Sequence, residues 1–226
     1  MATASDGTTL TATAAPPSEE RTESILNADS SAASAGNKAD IKGGKKSKNR
    51  HLARMMRSNL ASEAAAVRMF GVQSRLGGHR PDLKFFKEGE AELLERLQTL
   101  APQYRTRPSA LLPLIRATGT ALGALSAVLP RPYSEAIKGG AAEALIEQYN
   151  DQLREIRERG LADTDAAEPL RELLRALRDQ PRITEGSVKV PDVAELQRPQ
   201  DVKLEEGLAG VVKVGFKNLL NLTSYV

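Results

Sequence analysis

At 226 residues, with no cysteine and only two histidines, the chain excludes disulfides, cysteine-ligated iron–sulfur clusters and thiolate zinc sites. A net charge of +3 is too small to imply a nucleic-acid partner by itself. Apolar residues make up 40% of the chain but aromatics only 4%, so Leu and Ala must fill the core, which favours helix over sheet.

Residues 1–47 read as a low-complexity tail rich in Ala, Ser and Thr. The first arginine is Arg21, and Asp6, Glu19 and Glu20 precede it, a poor match to an Arg-rich, acid-poor presequence. The tail closes on a basic cluster, Lys42, Lys45, Lys46, Lys48 and Arg50, which is a candidate contact for RNA or anionic lipid set against the plainer reading of a solvated linker.

Residues 48–226 read as one helical domain. The first helix is predicted from about 48 to 76, stopped by Gly77-Gly78, and places Leu52, Met56, Leu60, Glu63, Val67 and Phe70 on one face. The second runs from Pro81-Asp82 to about Ala101-Pro102, with Phe86, Glu90, Leu93, Leu97 and Leu100 on one stripe. A third, apolar helix begins at Pro108 and stops before Pro130; its 111–129 stretch suits a buried, interfacial or partner-facing helix better than a membrane span. A fourth covers about 133–159 and ends at Gly160, and a fifth runs from near Asp165 to Asp179. Residues 182–203 read as a loop, with "SVKVPDV" a candidate short strand. The last helix, about 204–224, is expected to turn Leu204, Leu208, Val211, Val212, Gly215, Leu219 and Leu222 toward the bundle.

Glu63 and Glu90 thus point inward from separate helices, and a buried carboxylate is costly without a partner. Such carboxylates belong to the donor set of di-iron bundles, a Glu from each of two helices and a Glu-x-x-His from each of two others. No Glu-x-x-His exists in this chain: Lys48 precedes His51 and Leu76 precedes His79 at the third position back.

The order and spacing of several segments resemble the demethoxyubiquinone hydroxylases of ubiquinone biosynthesis, ferritin-like di-iron proteins of the mitochondrial inner membrane. "LARMMRSNLASEAAAVRMFGVQ" is similar to that family's first helix, where the motif reads Asn-His-Ala-Gly-Glu. "RTRPSALLPLIRATGTALGALSAVL" resembles its Arg-Pro-initiated apolar segment, and "EQYNDQLREI" the stretch after its third metal ligand. The resemblance implies an all-α, ferritin-like antiparallel bundle with an additional apolar helix and a C-terminal helix. It places Glu63 and Glu90 at family ligand positions, and Leu93, Ala142, Pro181 and Thr184 at the others. Glu143, beside Ala142, shares a solvated face with Glu147, Asn150 and Arg154. Lys217 and Asn221 fall where the family carries an Arg and a Tyr implicated in nicotinamide contact, and Tyr149 matches a family tyrosine near the metal.

On this reading Glu63 and Glu90 are relic ligands that bond to buried water, to a neighbouring Arg, or stay protonated, and no cofactor or metal is expected. Glu63→Gln is then expected to leave the protein folded. The functional expectation is a mitochondrial, non-catalytic structural subunit of a larger assembly, the mitochondrial ribosome or a respiratory-chain complex. Its partners would be protein subunits, with RNA, anionic lipid or the membrane surface contacted as well. The alternatives are a quinone- or lipid-binding regulator of ubiquinone biosynthesis and an active hydroxylase with an atypical metal site.

Overall fold

The computed structural model describes residues 33–77, 81–162, 164–182, 188–197 and 202–225, with side chains from 47 onward except those of 81 and 82. The chain divides into two units, Met1–Asp40 and Ile41–Val226. Of the first, only the helical residues 33–40 are described.

Among the described residues seven α-helices follow one another: α1 (Ala33–Leu76), α2 (Pro81–Leu100), α3 (Leu112–Val128), α4 (Arg131–Glu158), α5 (Glu168–Asp179), α6 (Val193–Leu196) and α7 (Leu204–Thr223). A short 3-10 turn, Ala101–Tyr104, continues α2. The fold is an all-α bundle, as the composition and periodicity imply. Among the described residues there is no strand, and the candidate strand's described part, residues 188–193, is irregular until α6 begins. Helix α1 starts at Ala33, well ahead of the expected 48, because the Gly and Lys residues that suggest a linker do not forbid helix. The side chains of Lys42, Lys45 and Lys46 lie outside the described set, whereas Lys48 and Arg50 are exposed.

Local rules explain most of the helix ends. Helix α4 terminates in a Schellman motif: Gly160 takes φ +59°, and Leu161 N–H donates to Ile156 O at 3.0 Å while Gly160 N–H donates to Arg157 O at 3.1 Å. Leu161 and Ile156, the hydrophobic pair of that motif, are both buried. The start of α3 lies at Leu112 rather than Pro108, since Pro108 precedes a turn in which Leu112 N–H donates to Ser109 O at 3.0 Å.

The core is built where α1 is enclosed. Leu52, Met55, Met56, Ala65, Met69 and Phe70 of α1 pack with Phe86, Leu93 and Leu97 of α2, Ile115 of α3, Leu145 and Tyr149 of α4, and Leu170, Leu174 and Leu177 of α5. Helix α3 comes close to α1 through glycines. A Cβ on Gly119 would lie 2.9 Å from Ala65 Cα, and one on Gly123 3.0 Å from Met69 Cα, backbone atoms that have no rotamer to escape into. Helices α4 and α7 meet the same way at Gly140, whose Cβ would lie 3.0 Å from the Ala209 carbonyl carbon. At the α3–α4 corner, Ser134 Oγ donates to Ser126 O at 2.5 Å.

Helix α7 corrects the sequence reading. Its buried face is Ala209, Gly210, Lys213, Phe216, Leu220 and Thr223, whereas Leu204, Val211 and Leu222 are exposed. Val212 and Leu219 of the stripe chosen by apolarity do pack on the core, but the helix is turned so that Lys213 is buried, with Nζ 2.6 Å from Glu147 Oε1 of α4. Among the described residues no helix is long and apolar enough to cross a membrane.

The glycine contacts make a direct prediction. Gly119→Ala and Gly123→Ala each lower unfolding stability by about 1–3 kcal/mol in urea denaturation. Gly215→Ala, with nothing within 4 Å of the added carbon, leaves it equal or raises it by about 0.5–1 kcal/mol.

Candidate functional site: a buried carboxylate–guanidinium cluster

The inward face of α1 carries Glu63, and that of α2 carries Glu90, both fully buried as their helical phase predicts. Between them lies Arg182, from the segment just beyond α5, at 1% exposure. Its Nη2 donates to Glu63 Oε1 at 3.0 Å and to Glu90 Oε2 at 3.3 Å. Its Nε lies 2.8 Å from Glu90 Oε1 as an ion pair without hydrogen-bond alignment. Arg182 Nη1 donates to the Leu177 carbonyl at the end of α5.

Tyr149 of α4 completes the cluster. Its hydroxyl donates to Glu63 Oε1 and lies 3.2 Å from Ser62 Oγ, and Arg182 Cζ stands 5.6 Å from the centre of its ring. A second polar layer adjoins it: Gln148 Nε2 donates to Ser58 Oγ at 2.8 Å, and Ser58 Oγ donates to Leu220 O of α7 at 3.3 Å. The polar groups of α1 on this side therefore have partners on α4, α7 and the chain beyond α5.

Electrostatics divides the labour between the two carboxyls. Burial, reinforced by the neighbouring Glu63 carboxylate, pushes Glu90 well above its ordinary value of 4.5, against the opposing pull of Arg182. Burial alone would lower Arg182, but the two glutamates outweigh it and hold its guanidinium above the ordinary value. Burial and the Glu63 charge likewise raise the Tyr149 hydroxyl well above 10.0. Glu90 thus holds its proton more tightly than an ordinary glutamate does.

The remaining positions implied by the resemblance do not join it with donors. Leu93 and Ala142 are buried apolar side chains, Pro181 is exposed, and Thr184 lies outside the described residues. Glu143 is half-buried on α4, and His51 lies 3.8 Å from Glu155, away from the cluster; His79 is outside the described residues. Lys217 is held by Glu147 at 2.7 Å and Asp151 at 3.1 Å. The side chain that sequence reasoning missed is Arg182. Its signal was available, since it follows Pro181 at the point where a helix-borne ligand would have stood.

Two oxygen-donor side chains with a guanidinium between them do not fit a di-iron pair, which needs imidazoles and further carboxylates on all sides. Among the described residues no group of three or more His, Asp or Glu side chains stands ready for a metal ion.

A helical bundle with inward glutamates on its first two helices defines the ferritin-like class. Residues 50–183 match the model of the ubiquinone biosynthesis protein COQ7 family, and the chain belongs to that family. It is 29% identical over 130 residues to the mitochondrial NADPH-dependent 3-demethoxyubiquinone 3-hydroxylase of Homo sapiens, covering 56% of this chain and 58% of the human one. The protein of the same name in Dictyostelium discoideum is 26% identical over 184 residues, 80% of each chain. That of Mus musculus is 28% identical over 130 residues, covering 56% of this chain and 58% of the mouse one. The chain thus spans 58% of the length of the human relative it matches. The mitochondrial location expected from the resemblance agrees with these names. The expected non-catalytic, structural role is corrected by them: the human, amoebal and mouse relatives are all named as hydroxylases, and none of the three as a ribosomal or respiratory-chain subunit.

The shared charge predicts strong non-additivity. Glu63→Gln and Glu90→Gln each cost about 1–3 kcal/mol at pH 7, because one carboxyl still faces Arg182. The double variant leaves the guanidinium buried and unpaired, and loses about 3–5 kcal/mol more than the sum. Urea denaturation of the four proteins measures this.

The raised Glu90 value sets a pH trend. The fold binds this proton more tightly than the unfolded chain, so its contribution is complete below about pH 4.5 and is lost as pH rises through the raised value. Glu90→Gln removes that dependence, so its stability relative to the wild type improves from pH 5 to pH 8.

Proposed function

We propose that this chain acts as an enzyme at the 3-demethoxyubiquinone 3-hydroxylation step of ubiquinone biosynthesis, with a demethoxylated ubiquinone as its substrate class. The observation that carries the reading is the family match over residues 50–183, joined to relatives in mammals and an amoeba named for that one reaction. Exposed apolar side chains support it. Leu114, Leu125 and Val128 of α3, and Leu204, Val211 and Leu222 of α7, offer the kind of surface that a lipid-like quinone seeks.

The chain's own buried cluster contributes order rather than a metal-dependent step. Arg182, Glu63, Glu90 and Tyr149 hold one another in place. The reading therefore assigns the step and the substrate class, and it assigns no oxygen-activating role to these side chains.

The test is direct. The full chain, given NADPH, dioxygen and a short-tailed demethoxyubiquinone, is expected to consume NADPH and yield the hydroxylated quinone, identified by mass, with the second oxygen atom leaving as water. Expression in cells lacking their own 3-demethoxyubiquinone 3-hydroxylase is expected to restore ubiquinone. Absence of both product and restoration overturns the reading.

A further inference from the structure

We infer that Arg182 is a built-in cation standing where a di-iron bundle of this class holds its metals, and that the fold closes on it without a divalent ion. Three observations carry this. Carboxylates from α1 and α2 converge on one point, and the guanidinium occupies it, within 3.0 Å of Glu63 and 2.8 Å of Glu90. The guanidinium is planar and stays charged at every accessible pH, so its fork spans two carboxyl groups as a bridging cation would. Its approach is also fixed by the chain. Pro181 follows the end of α5 at Asp179, the backbone leaves helical geometry, and the next side chain turns inward to donate to Leu177 O.

The substitution has an energetic logic. Two carboxyls in a dry bundle need either protons or a cation. Here Arg182 supplies the positive charge to both carboxyls, and the Tyr149 hydroxyl donates to Glu63. A divalent ion entering this point would have to expel a guanidinium that is 1% exposed and bonded on two sides. Removing the guanidinium leaves two carboxylates and a phenol, a set of hard oxygen donors suited to Mn(II).

The inference does not rest on the proposed hydroxylase role, and its test reads metal binding alone. Full-length wild-type protein is incubated with Fe(II) or Mn(II) and desalted, its metal is counted, and its melting temperature is followed with Mn(II) and with chelator. The wild type is expected to retain no metal at the cluster and to melt at the same temperature in every condition. Arg182→Ala is expected to gain one Mn(II) and to melt about 5–10 °C higher at saturating Mn(II). The triple variant Arg182→Ala/Glu63→Gln/Glu90→Gln carries no charge at the cluster and is expected to show no such gain.

Wild-type protein that retains two irons, lost on Glu63→Gln, overturns the inference. So does an Arg182→Ala protein that folds like the triple variant but gains nothing from Mn(II). Should Arg182→Ala fold only with Mn(II) present, the inference is supported; should it fold in neither condition, the wild-type count decides. A wild type that retains iron and forms product overturns only this inference. One that retains none and forms none overturns only the hydroxylase reading.

Discussion

A guanidinium cannot be buried in a helical bundle unless carboxylates meet it there, and the arrangement of this fold follows from that requirement. Arg182 reaches Glu63 on α1 and Glu90 on α2 while bonding back to the end of α5. Tyr149 brings α4 to the same point. One cation thus ties four helices at a level where apolar packing alone would leave two carboxyls without partners. Glu63, Glu90, Tyr149 and Arg182 are all buried, and a low local dielectric strengthens each contact in the cluster.

Helix α4 is the spine on which the two ends of the chain are joined. On one side it presents Gln148 and Tyr149 to α1; on another, Glu147 and Asp151 take Lys213 and Lys217 of α7. Gly140 lets α7 approach close enough for those lysines to reach. Burial pulls Glu147 upward, but the two lysines more than offset it and leave it below its ordinary value. Arg54 of α1 adds a last tie, its guanidinium 4.2 Å from the centre of the Tyr225 ring. Lys217 is thus occupied within the chain itself.

Much of this was legible in the sequence because helical phase is a local property. Glu63 and Glu90 were placed inward by the apolar residues three and four positions away, and the ends at Leu76 and Glu158 follow from Gly77 and Gly160. What was not legible depends on contacts between distant segments. The orientation of α7 was misjudged because an apolarity count cannot weigh two lysines seeking Glu147 against Leu204, Val211 and Leu222. Arg182 was passed over because it lies in an apparently irregular segment, where no periodicity marks a side chain as buried. The function drawn from missing ligands was corrected by comparison, since loss of a donor set describes a site and does not by itself describe what the whole chain does.

Family and donor set therefore speak to different levels of this protein. Membership over residues 50–183 places it in the ubiquinone biosynthesis protein COQ7 family, while Glu63, Arg182 and Glu90 describe a bundle centre organised by an organic cation. The most direct measurement is an anomalous difference map at the iron edge from crystals of the full chain grown with Fe(II). The account predicts no iron peak between Glu63 and Glu90, with guanidinium density in its place. An iron peak within about 2.2 Å of carboxyl oxygens from both glutamates, with Arg182 displaced, would contradict it.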